Sequence, residues 1–286
     1  MSGAAKKIDN NFDFFEEELT KKQYEYFATL MYDLSGVNLP HSAKNVALVK
    51  NRLTKLNRRL GVSSYDDLIT KLKNADQQLT SDFISSLTTN KTHFFREEAH
   101  FDWLKDYLKT HFNNHNELRL WCAASSTGQE PYTIAMVIRE VLQAHELMKV
   151  KLLGTDIDLQ CLNKSAKGQY LEGEMDGCPG HLREKYFEKH RVGNDLVYRA
   201  KDDVAKMWKF AQLNLIQDKY PFQNKFHIIF CRNVLIYFDP PTVKKVIENM
   251  ASQLVEGGFL ILGHSESGTV KSNLIKPLSR AIYQRV

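Results

Sequence analysis

Residues 123–131 read Ala-Ala-Ser-Ser-Thr-Gly-Gln-Glu-Pro and follow directly on an apolar run, 118–123. Small residues let a ligand approach the backbone, and Pro131 suits the first turn of a helix. At the carboxyl end of a strand in an open α/β sheet, such a loop is where backbone amides and a helix N-terminus meet a ligand, although an ordinary strand-to-helix turn has the same make-up. The Gly-x-Gly-x-x-Gly spacing is missing, and Glu130 puts a carboxylate where a pyrophosphate would be repelled, so a dinucleotide is disfavoured. A cationic ligand suits the loop better. S-adenosylmethionine carries a sulfonium and an α-ammonium, and Glu130 can pair with the ammonium.

A second acidic position closes the next apolar run, where 154–158 read Gly-Thr-Asp-Ile-Asp. An aspartate there can accept both hydroxyls of a ribose, which makes Asp156 the candidate. Asp158 reads as the N-cap of the following helix, and capping is the plain alternative for Asp156 as well. Further along, Asn214 is suited to an adenine edge and Leu215 to packing on the ring. Arg232 directly follows Ile228-Ile229-Phe230, where a cation is costly unless it is paired or faces a cleft.

These positions need a scaffold, and the sequence supplies one. Short apolar runs alternate with helical stretches from residue 117 onward, the pattern of a doubly wound α/β domain spanning 117–286. Strands are expected at 118–123, 150–155, 209–213, 226–230, 259–262 and 281–284, with helices at 132–145, 159–166 and 242–254. Residues 168–206 are irregular and read as an insertion with two short hairpin-like runs around Tyr186 and Val197. Ahead of this domain a tail is expected at 1–18, after which the chain to about residue 112 reads as helix upon helix. In 41–60, Val46, Val49, Leu53, Leu56 and Leu60 recur on one face, with Lys44, Arg52, Lys55, Arg58 and Arg59 opposite and no acidic residue in the segment.

Composition narrows the class. The net charge of +5 and pI near 8.8 favour an acidic partner. Cys122, Cys161, Cys178 and Cys231 form no Cys-x-x-Cys or Cys/His cluster, so neither a metal site nor a disulfide framework is expected. No apolar run approaches the roughly 20 residues of a bilayer span, and the polar start lacks the apolar stretch of a signal peptide, which makes the cytoplasm the expected location.

With these residues in view, the chain closely resembles the CheR-type chemotaxis receptor methyltransferases, which esterify glutamates on the cytoplasmic helices of chemoreceptors. Five segments carry the resemblance in order: Thr88-Thr89-Asn90-Lys91-Thr92-His93-Phe94-Phe95-Arg96-Glu97, the strand-one loop through Glu130-Pro131-Tyr132, Thr155-Asp156-Ile157-Asp158, Phe230-Cys231-Arg232-Asn233 through Tyr237-Phe238, and Gly263-His264-Ser265-Glu266. Gln129 departs from the commoner glutamate, and the insertion is only weakly similar. The resemblance implies a small all-helical domain at 19–90, a linker with a helix at 91–116, and an α/β methyltransferase domain whose insertion, 168–206, is a small β-subdomain. It implies S-adenosylmethionine as cofactor, with S-adenosylhomocysteine as product. It places Asn90, Thr92 and Arg96 against that cofactor from the interdomain side, Glu130 on its ammonium, Asp156 on its ribose, and Asn214, Leu215, Arg232 and Asn233 around the rest. It sets Arg96 and Tyr237 nearest the transferred methyl, with Arg232 as a further candidate for orienting the acceptor. The implied partners are methyl-accepting chemotaxis receptors, met by the basic face at Lys44, Arg52, Lys55, Arg58 and Arg59, with the enzyme a monomer.

A glutamate acceptor is already an anion at neutral pH, so no general base is needed and the work is positioning. The rival readings are a nucleic-acid methyltransferase, a non-catalytic binding module and a nicotinamide-dependent oxidoreductase. Against the first, no stripe of stacking aromatics and lysines is evident, and Asp239-Pro240-Pro241-Thr242 reads as a helix start rather than a base-flipping motif. No nucleic-acid partner is therefore expected.

Overall fold

The structure is a computed structural model that describes residues 17–112, 116–268, 270 and 272–286. Two compact units emerge, one of residues up to 30 together with 40–87, the other of 31–39 together with 88–286.

The first unit is helical. It holds most of α1 (Lys21–Ser35), then α2 (Ala43–Leu60), α3 (Tyr65–Lys73) and α4 (Gln77–Leu87). Helix α2 starts because the Ser42 side chain accepts from Asn45 N–H, and stops at Gly61, whose left-handed φ of 63° closes the last turn. Its apolar stripe buries Val49, Leu53 and Leu56. Most of the tail expected at 1–18 lies outside the described residues; Glu17 and Glu18 do not belong to it, since Glu17 accepts from Tyr65 N–H at 2.7 Å and Glu18 pairs with Lys50 at 2.6 Å.

The second unit centres on a seven-stranded sheet in the order β6-β2-β1-β7-β8-β10-β9, formed by β1 (Leu118–Ala123), β2 (Val150–Asp156), β6 (Trp208–Gln212), β7 (Phe226–Cys231), β8 (Leu254–Leu262), β9 (Ile275–Ser279) and β10 (Ile282–Arg285). The pairs β1–β2, β2–β6, β1–β7 and β7–β8 are parallel, while β10 runs antiparallel to both β8 and β9. Strand order therefore reverses between β1 and β7, the switch point where open sheets bind ligands. Alternation along β1 sends Leu118, Leu120 and Cys122 into one core layer with α5 (Ala99–His111) and α6 (Gln129–Val141). Trp121 and Ala123 face the other layer with α11 (Pro240–Ser252).

Several boundaries differ from expectation for local reasons. The helix expected at 132–145 begins earlier, at Gln129, and ends at Val141, because Leu142 turns extended (ψ 146°) and a separate one-turn α7 (Ala144–Leu147) follows. The helix expected at 242–254 is shifted to Pro240–Ser252 by the Asp239 side chain, which caps Thr242 N–H. Strand β9 went unread: four of its five residues are exposed and Pro277 interrupts it, both properties of an edge strand. In the insertion, β4 (Phe187–Val192) and β5 (Asp195–Ala200) form the hairpin, with β3 (Gln169–Leu171) completing a three-stranded sheet and Tyr186 ending a short helix, α9 (Gly180–Tyr186).

Candidate functional site

The loop after β1 turns through three left-handed residues, Ala124 (φ 62°), Ser126 (φ 50°) and Gly128 (φ 97°). Gly128 has no room for a side chain, because a Cβ there would lie 2.6 Å from the Tyr170 hydroxyl. The turn aims Ser126 N–H at Asp156 Oδ2 (2.8 Å), while Asp158 N–H reaches Asp156 Oδ1 (2.9 Å). Both oxygens of Asp156 thus accept backbone hydrogens, with Ile157 N–H a further donor to the carboxylate. Burial pushes the Asp156 carboxyl up to about 6, against the pull of these N–H groups. Asp158 caps α8 (Leu159–Lys167) through Gln160 and Cys161 N–H, and its Oδ2 also holds Asn90 Nδ2 at 2.7 Å and Thr88 Oγ1 at 3.3 Å.

Across the switch point, β7 ends at Cys231 and delivers Arg232, whose side chain is fully buried. Its guanidinium lies 2.6 Å from Glu130 of α6 and 3.2 Å from Glu97, donates to the Arg96 carbonyl, and sits over the Phe101 ring at 5.3 Å. Glu130 also accepts from the Cys122 thiol at 3.3 Å. Glu97 further accepts from Asn233 Nδ2 (3.3 Å) and His264 N–H (3.1 Å). Burial would raise the Glu97 carboxyl, but Arg232 and these hydrogen bonds outweigh it and hold it below the usual range. His100, buried against Glu97 and the His264 ring, is pushed down to about 4 by burial and then by Arg232, so it is neutral at pH 7. One guanidinium therefore stands between two carboxylates, and the cluster carries a surplus negative charge.

Asn233 follows with a left-handed φ of 58°, held there by Glu266. That carboxylate, completely buried, accepts N–H bonds from Asn233 (2.8 Å), Leu235 (2.7 Å) and Gly263 (2.7 Å). Glu266 thereby fixes the turn that directs Arg232 and Asn233 toward the loop after β1.

A cationic ligand with a diol fits this donor set: a net-negative cluster at Glu97–Arg232–Glu130 and an acceptor at Asp156, on either side of the switch point. Comparison with known proteins decides its class. Residues 90–282 match the model of the CheR methyltransferase SAM-binding domain, and residues 22–88 match the CheR methyltransferase all-alpha domain. This chain belongs to the CheR methyltransferase family. Similar relatives include a chemotaxis protein methyltransferase of Borreliella burgdorferi, 35% identical over 89% of this chain and 90% of that protein. Chemotaxis protein methyltransferase 2 of Pseudomonas aeruginosa is 33% identical over 94% of each chain, and a chemotaxis protein methyltransferase of Escherichia coli is 33% identical over 87% and 85%. The CheR chain is thus a methyltransferase of chemotaxis that uses S-adenosylmethionine. No helix among the described residues is long and apolar enough to cross a membrane.

Within this CheR fold, Asn90, Glu130, Asp156, Arg232 and Asn233 all border the switch point or the loops bonded to it, whereas four other expected residues have local employment. Arg96 donates to Lys91 O at 3.0 Å and offers its carbonyl to Arg232. Asn214 braces Leu34 O through Nδ2 at 2.8 Å and Ile216 N–H through Oδ1 at 3.2 Å, leaving one amide hydrogen and one lone pair. Arg52 does not belong to the open basic face: it is half-buried and donates to Leu87 O at 2.6 Å. Arg59 meets Asp82 of α4 at 3.1 Å, while Lys44, Lys55 and Arg58 are exposed. Leu215 is buried, Thr92 and Tyr237 are half-buried, and the Tyr237 hydroxyl makes no hydrogen bond among the described residues. Sequence reasoning gave Glu97, His100 and Glu266 no individual role. A buried arginine at 232 signals that carboxylates must answer it, without saying which.

Proposed function

We propose that this methyltransferase esterifies glutamate side chains on the acidic helical region of chemoreceptors, and that its cofactor lies across the β1–β7 switch point. The observation that carries the reading is the Glu97–Arg232–Glu130 cluster, one cation between two carboxylates beside the diol acceptor Asp156. Glu130 would take the α-ammonium and Asp156 the ribose hydroxyls. Asn90, Thr92, Asn214, Leu215 and Asn233 would complete the pocket.

When bound, the cofactor supplies an electrophilic methyl on sulfur. The acceptor, with an ordinary carboxyl near 4.3, arrives ionised, so the protein needs to move no proton. Its tasks are to orient and to exclude water. Arg96, most of whose guanidinium engages no protein acceptor among the described residues, attracts the incoming carboxylate. Tyr237 donates from its free hydroxyl to the acceptor, a single neutral hydrogen bond that steers the oxygen without quenching its nucleophilicity as a tight ion pair would. The exposed Lys44, Lys55, Arg58 and Arg59 give α2 a positive face suited to an acidic helix.

The test is methyl incorporation from labelled cofactor into a purified receptor cytoplasmic fragment, followed by mild alkali. Methyl esters release methanol, whereas N-methyl groups persist. Alkali-stable label, or label in RNA or DNA rather than receptor, would overturn the reading.

A further inference from the structure

Arg232 meets two carboxylates, yet only Glu130 belongs to the proposed ammonium contact. Glu97 meets the other terminal nitrogen of the guanidinium, Nη2, 3.2 Å away, and an ammonium contact alone does not require this second, largely buried acid. Its placement is costly. Glu97 adopts a left-handed φ of 57°, two residues after Phe95 at 53°, a conformation that non-glycine residues hold only when their surroundings enforce it. The enforcement is visible: Asn233 Nδ2 and His264 N–H both donate to the Glu97 carboxylate, and Phe94, in the same loop, is buried edge-on against Tyr170 and Phe187.

We propose that Glu97 is a positioning residue for cofactor binding: it is the standing counter-ion of Arg232, which releases Glu130 to pair with the α-ammonium. The proposal rests on the cofactor placement given above. A fully buried guanidinium facing a single carboxylate would hold it in a closed pair, and an arriving ammonium would have to break that pair. With Glu97 present, Arg232 keeps a partner whichever way Glu130 turns, and the surplus negative charge is neutralised only when a cation binds. His100 can take neither part, since it is neutral at pH 7, and Cys122 contributes a neutral thiol to Glu130. Glu97 itself need not touch the cofactor.

The discriminating probe is a ligand pair that differs only in the amino-acid portion. S-adenosylhomocysteine has the ammonium; 5′-methylthioadenosine has the same nucleoside and sulfur without it. Calorimetric affinities are measured for both ligands with the full chain, Glu97→Gln and Glu130→Gln. Glu97→Gln is expected to weaken S-adenosylhomocysteine by about tenfold or more, the range of a lost charge-assisted contact, and to leave 5′-methylthioadenosine unchanged. Equal weakening of both ligands would mean general damage to the pocket and would overturn the proposal, as would no weakening of either. Glu130→Gln separates the two levels of inference. If it shows the selective loss and Glu97→Gln does not, the counter-ion role fails and the cofactor placement stands. If neither variant is selective, the placement fails too.

Discussion

Replacing Arg232 by methionine tests whether the cluster is coupled by charge. The side chain is fully buried, its two ion pairs measure 2.6 and 3.2 Å, and the partner carboxylates of Glu130 and Glu97 are only 14% and 16% exposed. Methionine fills much of the same volume but leaves two buried carboxylates with no cation, a change that typically costs about 3–5 kcal/mol. For a unit of this size that corresponds to a fall in Tm of roughly 10 °C. The pH dependence fixes the cause. In the parent protein the Glu97 carboxyl is held low, so its stabilisation is present above the unfolded value and is lost as pH falls through the folded one. In the variant, burial acts on Glu97 without the opposing pull of Arg232 and raises its carboxyl, so the cost is full above the folded value and disappears as pH falls below it. Between pH 7.5 and 5 the parent is unaffected by its own trend, and the recovery of the variant narrows the gap. Urea unfolding at pH 7.5 and pH 5 should therefore show a large deficit at the first and a much smaller one at the second. A deficit below about 1 kcal/mol at pH 7.5, or one equal at both pH values, would refute the charge argument.

Further outcomes follow from other groups. Affinity for S-adenosylhomocysteine should fall in acid, because the Asp156 carboxyl is raised to about 6 and the neutral form accepts hydroxyls less well; at pH 5 about a tenth remains ionised, so calorimetry should show a loss of about tenfold. A flat profile between pH 7.5 and 5 would remove Asp156 from the ribose. Glu266→Gln turns an NH2 group toward at least one of the backbone donors that now meet the carboxylate, among them Asn233, Leu235 and Gly263 at 2.7–2.8 Å. It should lower the urea midpoint by the equivalent of about 2 kcal/mol without changing the m-value. Tyr237→Phe should slow receptor methylation on the order of tenfold at unchanged cofactor affinity, and normal turnover would exclude the hydroxyl from the reaction. Charge reversal at Arg58 and Arg59 should raise the KM for receptor while leaving cofactor affinity alone, and an unchanged KM would remove this face from docking.

How much of this was legible in the sequence depended on how local the cause was. The apolar run 118–123, the small-residue loop behind it and the acid at Asp156 all lie within forty residues, and their periodicity alone calls for a strand, a turn and a second strand. Edge strand β9 was not legible, because an edge strand is polar by design and Pro277 reads as a break. The end of α6 was missed for a related reason: 141–147 keeps a helical apolar rhythm, while one extended residue, Leu142, redirects the chain.

The site divides along the same line. Arg232 could be recognised as anomalous, a cation on the end of a buried apolar run, but the sequence does not say which acids answer it. Glu97 lies 135 positions earlier and Glu130 102 positions earlier; Glu130 reaches Arg232 because β1, which leads into its helix, neighbours β7, and Glu97 reaches it from the loop ahead of α5, both placements set by tertiary packing rather than by local pattern. Glu266 is the sharper case. As a polar residue between His264-Ser265 and Ser267 it looks like solvated loop, yet it is buried and supplies the acceptors that hold Asn233 in a left-handed turn. A carboxylate that satisfies several backbone donors has no periodic signature, since its partners are defined by the loops that meet at the switch point. That is why charged residues at strand ends stand out in the sequence as candidates, while the residues that aim those side chains emerge only when the strands are placed side by side.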